Sequence, residues 1–180
     1  MKRYFKLIVI GIVFIILIAL LFFIKVEKKE EVVEYIPEEE ITDEESRKTI
    51  VSLYFFNKET KNLEIEARLI DSKTLLKNPY EELVNLLMEG PKDEKLERAI
   101  SIESKLYSAN LKDGIVVLDF SKEFFVQMIE ETEENMNCIN SIVNTLTELK
   151  EVNGVQFISQ DGEDEIKNSK INFGEIFTRT

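Results

Sequence analysis

The chain of 180 residues has no histidine and no tryptophan, a single cysteine, and only three prolines and six glycines. Without histidine there is no imidazole general base, no imidazole metal ligand, and no Ser-His or Cys-His nucleophilic pair. One thiol, Cys138, forms neither an intramolecular disulfide nor a multi-cysteine metal site, so stability has to come from packing. Positive charge is also in short supply. Twenty-three Lys and Arg stand against 35 Asp and Glu, a net charge of −12, which repels phosphate backbones and argues against a nucleic-acid partner.

What is present is unevenly spread. Leu7 to Ile24 is an uncharged run of eighteen residues. At about 1.5 Å per residue a helix of that length approaches the thickness of a hydrocarbon core, and the run reads as a membrane span. A cleaved signal peptide would need small residues at the end of the run, where Leu20-Leu21-Phe22-Phe23-Ile24 stands instead. The reading is therefore an uncleaved signal anchor in residues 1–25. Lys2, Arg3 and Lys6 precede the run and Lys25, Lys28 and Lys29 follow it, so the flanks nearly balance. The short tail is placed in the cytoplasm and the C-terminal part outside.

Residues 26–46 contain ten acids, two lysines and Pro37 with no apolar periodicity, and read as an acidic flexible tether. Removing the four basic residues of 1–25 leaves 19 basic and 35 acidic residues beyond position 25, a net charge of −16.

Residues 47–180 read as one α+β domain. A strand is expected over Thr49–Phe56, and a second over Leu63–Leu69, whose period of two predicts a face buried on Leu63, Ile65, Ala67 and Leu69. Asn78-Pro79-Tyr80-Glu81 opens a helix with Tyr80, Leu83, Val84, Leu86 and Leu87 as its stripe, and Gly90-Pro91 stops it. The charged stretch 92–98 is given a short helical turn. Asp113-Gly114 marks a hairpin between Lys105–Leu111 and Ile115–Phe120. Ser121 is placed as the cap of a short helix, with Phe124, Phe125, Met128 and Ile129 spaced to cover a core face. Met136, Ile139, Ile142, Val143, Leu146 and Leu149 form a second amphipathic helix. Val155–Ser159 is a strand, and Ile166, Ile171, Phe173, Ile176 and Phe177 belong to a final strand or packed extension. The order β-β-α-β-β-α-β predicts a mainly antiparallel sheet with helices on one face.

Candidate chemistry is sparse. Asp119 and Glu123 are conceivable as a glycosidase carboxylate pair, but their positions suit capping and solvation better. Ser121 and Lys122 are adjacent, a poor geometry for nucleophile and base. Asp161-Gly162-Glu163-Asp164-Glu165 has the composition of a calcium loop without its spacing. Cys138 lies on the apolar stripe of the second helix and reads as a packed side chain. No catalytic, cofactor-binding or metal-binding residue is assigned.

Several segments in order resemble the GerMN domain of spore-germination and sporulation proteins. They are VSLYFF at 51–56, EELVNLLMEGP at 81–91, KL at 105–106 leading to DGIVVLDFSKEF at 113–124, IVNTLTE at 142–148 before GVQF at 154–157, DG at 161–162, and NFGEIFTR at 172–179. Ile100–Ser104 replaces the Pro and Gly-Thr that the family usually carries before the central hairpin. The resemblance implies no catalytic set. It implies a membrane-tethered domain outside the cytoplasmic membrane of a spore-forming Gram-positive bacterium, assembling with envelope or sporulation proteins or with further copies of itself. An enzyme acting on cell-wall glycan and a small-ligand-binding envelope module remain as alternatives at this stage.

Overall fold

The computed structural model describes residues 47–179 and a helical triplet at 16–18. The proposed span 7–24, apart from that triplet, and the tether 26–46 lie outside the described residues. Among the described residues no helix is long and apolar enough to cross a membrane.

Two three-stranded sheets organise the domain. In the first, β1 (Lys48–Asn57) lies between β2 (Leu63–Asp71) and the short β3 (Leu96–Glu97), antiparallel to both. In the second, β5 (Ile115–Phe120) lies between β4 (Leu106–Lys112), antiparallel, and β6 (Gly154–Ile158), parallel. The single sheet expected from sequence is thus two, one of them mixed. The parallel pairing becomes accessible because the connection from β5 to β6 runs through two helices, α3 (Lys122–Gln127) and α4 (Glu133–Leu146), long enough for a crossover.

Helix α1 (Ser72–Lys77) is capped by Asp71, and α2 (Pro79–Glu89) by Asn78, whose side chain accepts from the Glu81 N–H at 3.2 Å. Pro79 stands in the first turn of α2 and Gly90 ends it at φ 89°, as the sequence predicts. Helices α2 and α4 pack on each other, α2 also touching β1 and β4, and α4 touching β1 and β6. They therefore bridge the two sheets. Beside them a phenylalanine cluster closes the core: Phe120 stacks on Phe124 with centroids 4.3 Å apart, Phe124 on Phe157 at 5.8 Å, and Phe173 meets Phe125 edge-on at 5.0 Å. The C-terminal segment packs as an extension. Ile171 and Phe173 are buried, and Phe177 bridges Val155 after the short helix α5 (Glu163–Asn168).

Three local readings change. Residues 96–97 are a strand, not a helical turn, because β1 offers Phe56 and Asn57 for pairing. Helix α4 starts at Glu133, three residues before its first apolar position, because Thr132 accepts from the Asn135 N–H. The third concerns β2, whose faces are reversed. Ile65 and Leu69 are each 57% exposed, whereas Arg68 is 4% exposed. The face of β2 that turns inward carries Glu66, Arg68 and Ile70, and the apolar contribution there comes from Val51, Leu53 and Phe55 of β1.

Arg68 explains the reversal. Its guanidinium donates to the Leu86 and Gly90 carbonyls at 3.3 and 3.0 Å and pairs with Glu66. Those carbonyls close α2, which has no basic residue in its last turn. Glu66 in turn accepts the Lys92 and Asp93 N–H groups at 2.7 and 3.1 Å. Buried polar groups are tolerated when each finds partners, and here a charged pair from β2 satisfies one helix end and one loop.

Candidate functional site

The polar residues singled out in the sequence gather around the C-terminal end of β5, but each is committed to local structure. Asp119 is 1% exposed; its Oδ2 accepts from Gln160 Nε2 at 2.5 Å, and its Oδ1 has no protein partner. Glu123 sits in the first turn of α3, where hydrogen bonding from Ser121 holds its carboxyl below the ordinary value. One carboxylate is thus buried on the strand and the other solvated on the helix. Ser121 does not cap α3; its Oγ accepts from the Lys105 N–H at 3.1 Å. The capping passes to Asp161, whose Oδ1 accepts the Lys122 N–H at 3.0 Å while Oδ2 takes the Tyr107 hydroxyl at 2.8 Å. Those bonds, the Tyr107 hydroxyl first, keep the Asp161 carboxyl below its ordinary value, and the same bond pushes Tyr107 up. The segment that resembled a calcium loop is therefore the brace between α5 and α3. Among the described residues no group of three or more acids and cysteines converges on a metal position.

Cys138 is buried, and desolvation pushes its thiol up to about 12. A protonated thiol at neutral pH is a packing element rather than a nucleophile. A cleft of about 210 Å³ lies nearby, lined by Phe56, Arg98, Met128, Glu134, Asn135 and Cys138 among others. Its lining mixes charge of both signs with little apolar wall, unlike the predominantly apolar pockets that enclose small ligands.

The first sheet offers a different kind of surface. Along its outer face Ile50 opposes Leu69, Ser52 opposes Ala67 and Tyr54 opposes Ile65. Ile50 is 69% exposed, and Ala67 is exposed with Ile65 and Leu69. The far edge of β1 is covered instead. There the Tyr54 N–H donates to Thr145 Oγ1 at 3.0 Å, and Ser141 Oγ donates to the Tyr54 carbonyl at 2.5 Å. The Tyr54 hydroxyl donates to Glu148, which also pairs with Arg179 at 2.6 Å. Together Tyr54 and Arg179 hold Glu148 below its usual range, and burial with the neighbouring carboxylate pushes Tyr54 up. The closing segment is thereby pinned to β1. Sequence reading missed the outer face because it assigned Ile65, Ala67 and Leu69 to the core. The signal that could have found it was the charged pair Glu66 and Arg68 at alternate positions of a strand beside a helix end without its own cation.

These features define a small α+β domain of two sheets bridged by helices, with Glu66, Arg68, Glu148, Asp161 and Arg179 engaged in capping and bracing and with exposed Ile50, Ile65, Ala67 and Leu69 on one sheet face. Over residues 52–165 the chain matches the Germane family of sporulation and spore germination proteins, and it belongs to that family. It is similar to the tandem GerMN domains of the sporulation protein GerM from Bacillus subtilis, with 28% identity and a TM-score of 0.58 over 75% of this chain and 47% of that one. The chain thus spans about half the length of the tandem structure. The first GerMN domain of the same protein shares the fold, with 17% identity and a TM-score of 0.50 over 62% of this chain and 83% of that one. No curated protein matches the sequence.

Proposed function

We propose that this chain is a membrane-anchored, non-enzymatic interaction domain of sporulation or spore germination. It is held by residues 7–24 outside the cytoplasmic membrane and binds envelope or sporulation-complex proteins. The observation that carries the reading is the exposed face of the first sheet, where Ile50 lies beside Leu69 and Ile65 follows Leu69 along the same face of β2, on a domain with 17 basic and 25 acidic residues over 47–180. Contiguous exposed apolar residues on a folded domain mark contact with another macromolecule. The family supports the cellular setting, and the apolar run followed by an acidic tether supports the anchor.

The test is a crosslinking pull-down of the tagged full chain from sporulating cells, run beside the Ile65→Lys, Leu69→Lys double variant. Capture of envelope or sporulation-complex proteins by the unaltered chain, lost in the variant, is the expected result. An empty capture together with normal sporulation and germination after deletion of the gene would reject the proposal. Incubation with peptidoglycan separates the enzymatic alternative: release of muropeptides that stops in an Asp119→Asn variant would replace an interaction role with a catalytic one.

A further inference from the structure

Hydrogen bonding along β1 and β2 fixes which backbone groups of β2 are free. Opposed residues of an antiparallel pair exchange either both N–H···O=C bonds or neither. Tyr54 directs its N–H and C=O to Thr145 and Ser141, so it exchanges neither with Ile65 opposite. The alternation then assigns the bonds to β1 to Glu64, Glu66, Arg68 and Ile70. Ile65, Ala67 and Leu69 turn their N–H and C=O groups away from β1, and β2 is an outermost strand of its sheet. All three residues are exposed.

Such an edge is a template for another strand, and proteins usually blunt it with Pro, Lys, a bulge or inward-pointing charge; the inward charges of β2, Glu66 and Arg68, are already paired with each other within one copy. The nine residues of β2, LEIEARLID, contain neither Pro nor Lys, and the register with β1 is unbroken from Leu63 to Asp71. We propose that this edge pairs antiparallel with the same edge of a second copy of the chain, about a two-fold axis through Ala67. The inference rests on the interaction-domain reading and names one partner for it.

Register supplies the argument for a second copy. Full overlap of two β2 strands places Ala67 against Ala67 of the other copy, and Ile65 against Leu69. All of these residues carry outward-turned backbone groups, so each opposed pair exchanges both bonds. The same register places Glu66 opposite Arg68. A shift by two residues one way opposes Glu66 to Glu66, and the other way Arg68 to Arg68; like charges directly opposed destabilise a sheet. The strand is complementary to itself in the one alignment that also makes the most bonds. Geometry at the membrane is compatible. In this pairing the two copies enter β1 from opposite ends of the joint strands, about 30 Å apart at ~3.4 Å per residue. A tether the length of 26–46 reaches roughly 25 Å as a coil and about 70 Å when extended, enough for both anchors to lie in one bilayer.

The experiment uses the full chain in mild detergent with Cys138→Ser, so that an introduced thiol is the only one. Opposed residues in a hydrogen-bonded pair have Cα atoms about 5.5 Å apart, within the range of a disulfide. Ala67→Cys is therefore expected to form a covalent dimer under mild oxidation, roughly tenfold or more faster than the exposed Ile102→Cys between β3 and β4, which reports random collision. A second measurement replaces Ala67 by Pro, which removes an N–H that makes no bond within one copy. The unaltered chain is expected to sediment as a dimer and the Ala67→Pro chain as a monomer with unchanged circular dichroism. Equal oxidation rates at positions 67 and 102 would overturn the inference, as would a monomeric unaltered chain or a dimer that survives Ala67→Pro. If self-pairing is absent while the full chain still captures sporulation proteins, the edge pairing alone fails and the broader proposal stands.

Discussion

Arg68 shows how much one residue organises here and why the alternating pattern around it misled. A charged residue between apolar neighbours on a strand is ordinarily the solvent side, but α2 has no basic residue in its last turn, and Arg68 reaches the Leu86 and Gly90 carbonyls from the adjacent strand while Arg98 takes those of Met88 and Glu89. Its side chain is 3% exposed and also lies over the Phe55 ring at 5.9 Å. Truncating Arg68 to Ala is expected to cost about 3–5 kcal/mol, since it strands Glu66 and two carbonyls in the interior. Lys should recover little of this because one ammonium does not reproduce the planar fork. Equilibrium denaturation of the three proteins measures both effects. Glu66 adds a pH dependence. Burial acts to raise its carboxyl, but the Arg68 bond and the N–H groups of Asp93 and Lys92 outweigh it, so the folded value is lowered. A lowered folded value means a stabilisation fully present above the unfolded carboxylate value, about 4.3, and lost as pH falls through the folded one. The stability gap between the natural chain and Glu66→Gln should therefore be widest at neutral pH and close in strong acid. A gap that stays constant with pH would show that Glu66 acts through shape rather than charge.

Elements whose ends carry their own chemistry were legible, and those set by distant partners were not. Helix α2 announces itself through Asn78, Pro79 and Gly90, and the turn between β4 and β5 through Asp113 and Gly114, which take φ 51° and 81°. Helix α4 was visible through its stripe. By contrast β3 exists only because β1 offers two residues for pairing, and the division into two sheets depends on α2 and α4 fitting between them. None of this leaves a local signature. At the candidate site, Cys138 lies buried on the helical stripe that the sequence marks and Asp119 is bonded to Gln160, while the apolar face of β1 and β2 falls on the opposite side of the sheet from the one the alternation predicts. Coverage of the β1 edge by α4 likewise depends on hydroxyls at Ser141 and Thr145, one turn apart on a buried helical face, which sequence alone presents as unremarkable polar residues. Thr145→Val keeps the shape but leaves the Tyr54 N–H buried without an acceptor. The expected loss is about 1–3 kcal/mol, read by chemical denaturation, with faster hydrogen exchange at Tyr54 as its local signature.

At the scale of the molecule, charge and apolar surface act against each other. Beyond residue 25 the chain carries 19 basic and 35 acidic residues, so two copies approaching each other repel, whereas the outward edge of β2 and its apolar neighbours favour contact. Salt separates these forces. The screening length is about 30 Å at 0.01 M and about 3 Å at 1 M, while apolar contact and backbone pairing persist. Self-association of the full chain should therefore strengthen as salt is raised across that range, with the dimer fraction in sedimentation equilibrium increasing. Capture of a basic partner would behave oppositely, since its attraction to the acidic surface is screened over the same range. The proposed anchor would add a further term: two copies held in one bilayer would meet at a high local concentration, so their pairing should be less sensitive to salt than that of chains free in detergent micelles. Comparing crosslinking at position 67 in vesicles and in detergent, each over a salt series, tests this directly. Detergent yields that fall with added salt would mean that attraction between opposite charges, and not the apolar strand edge, brings the copies together.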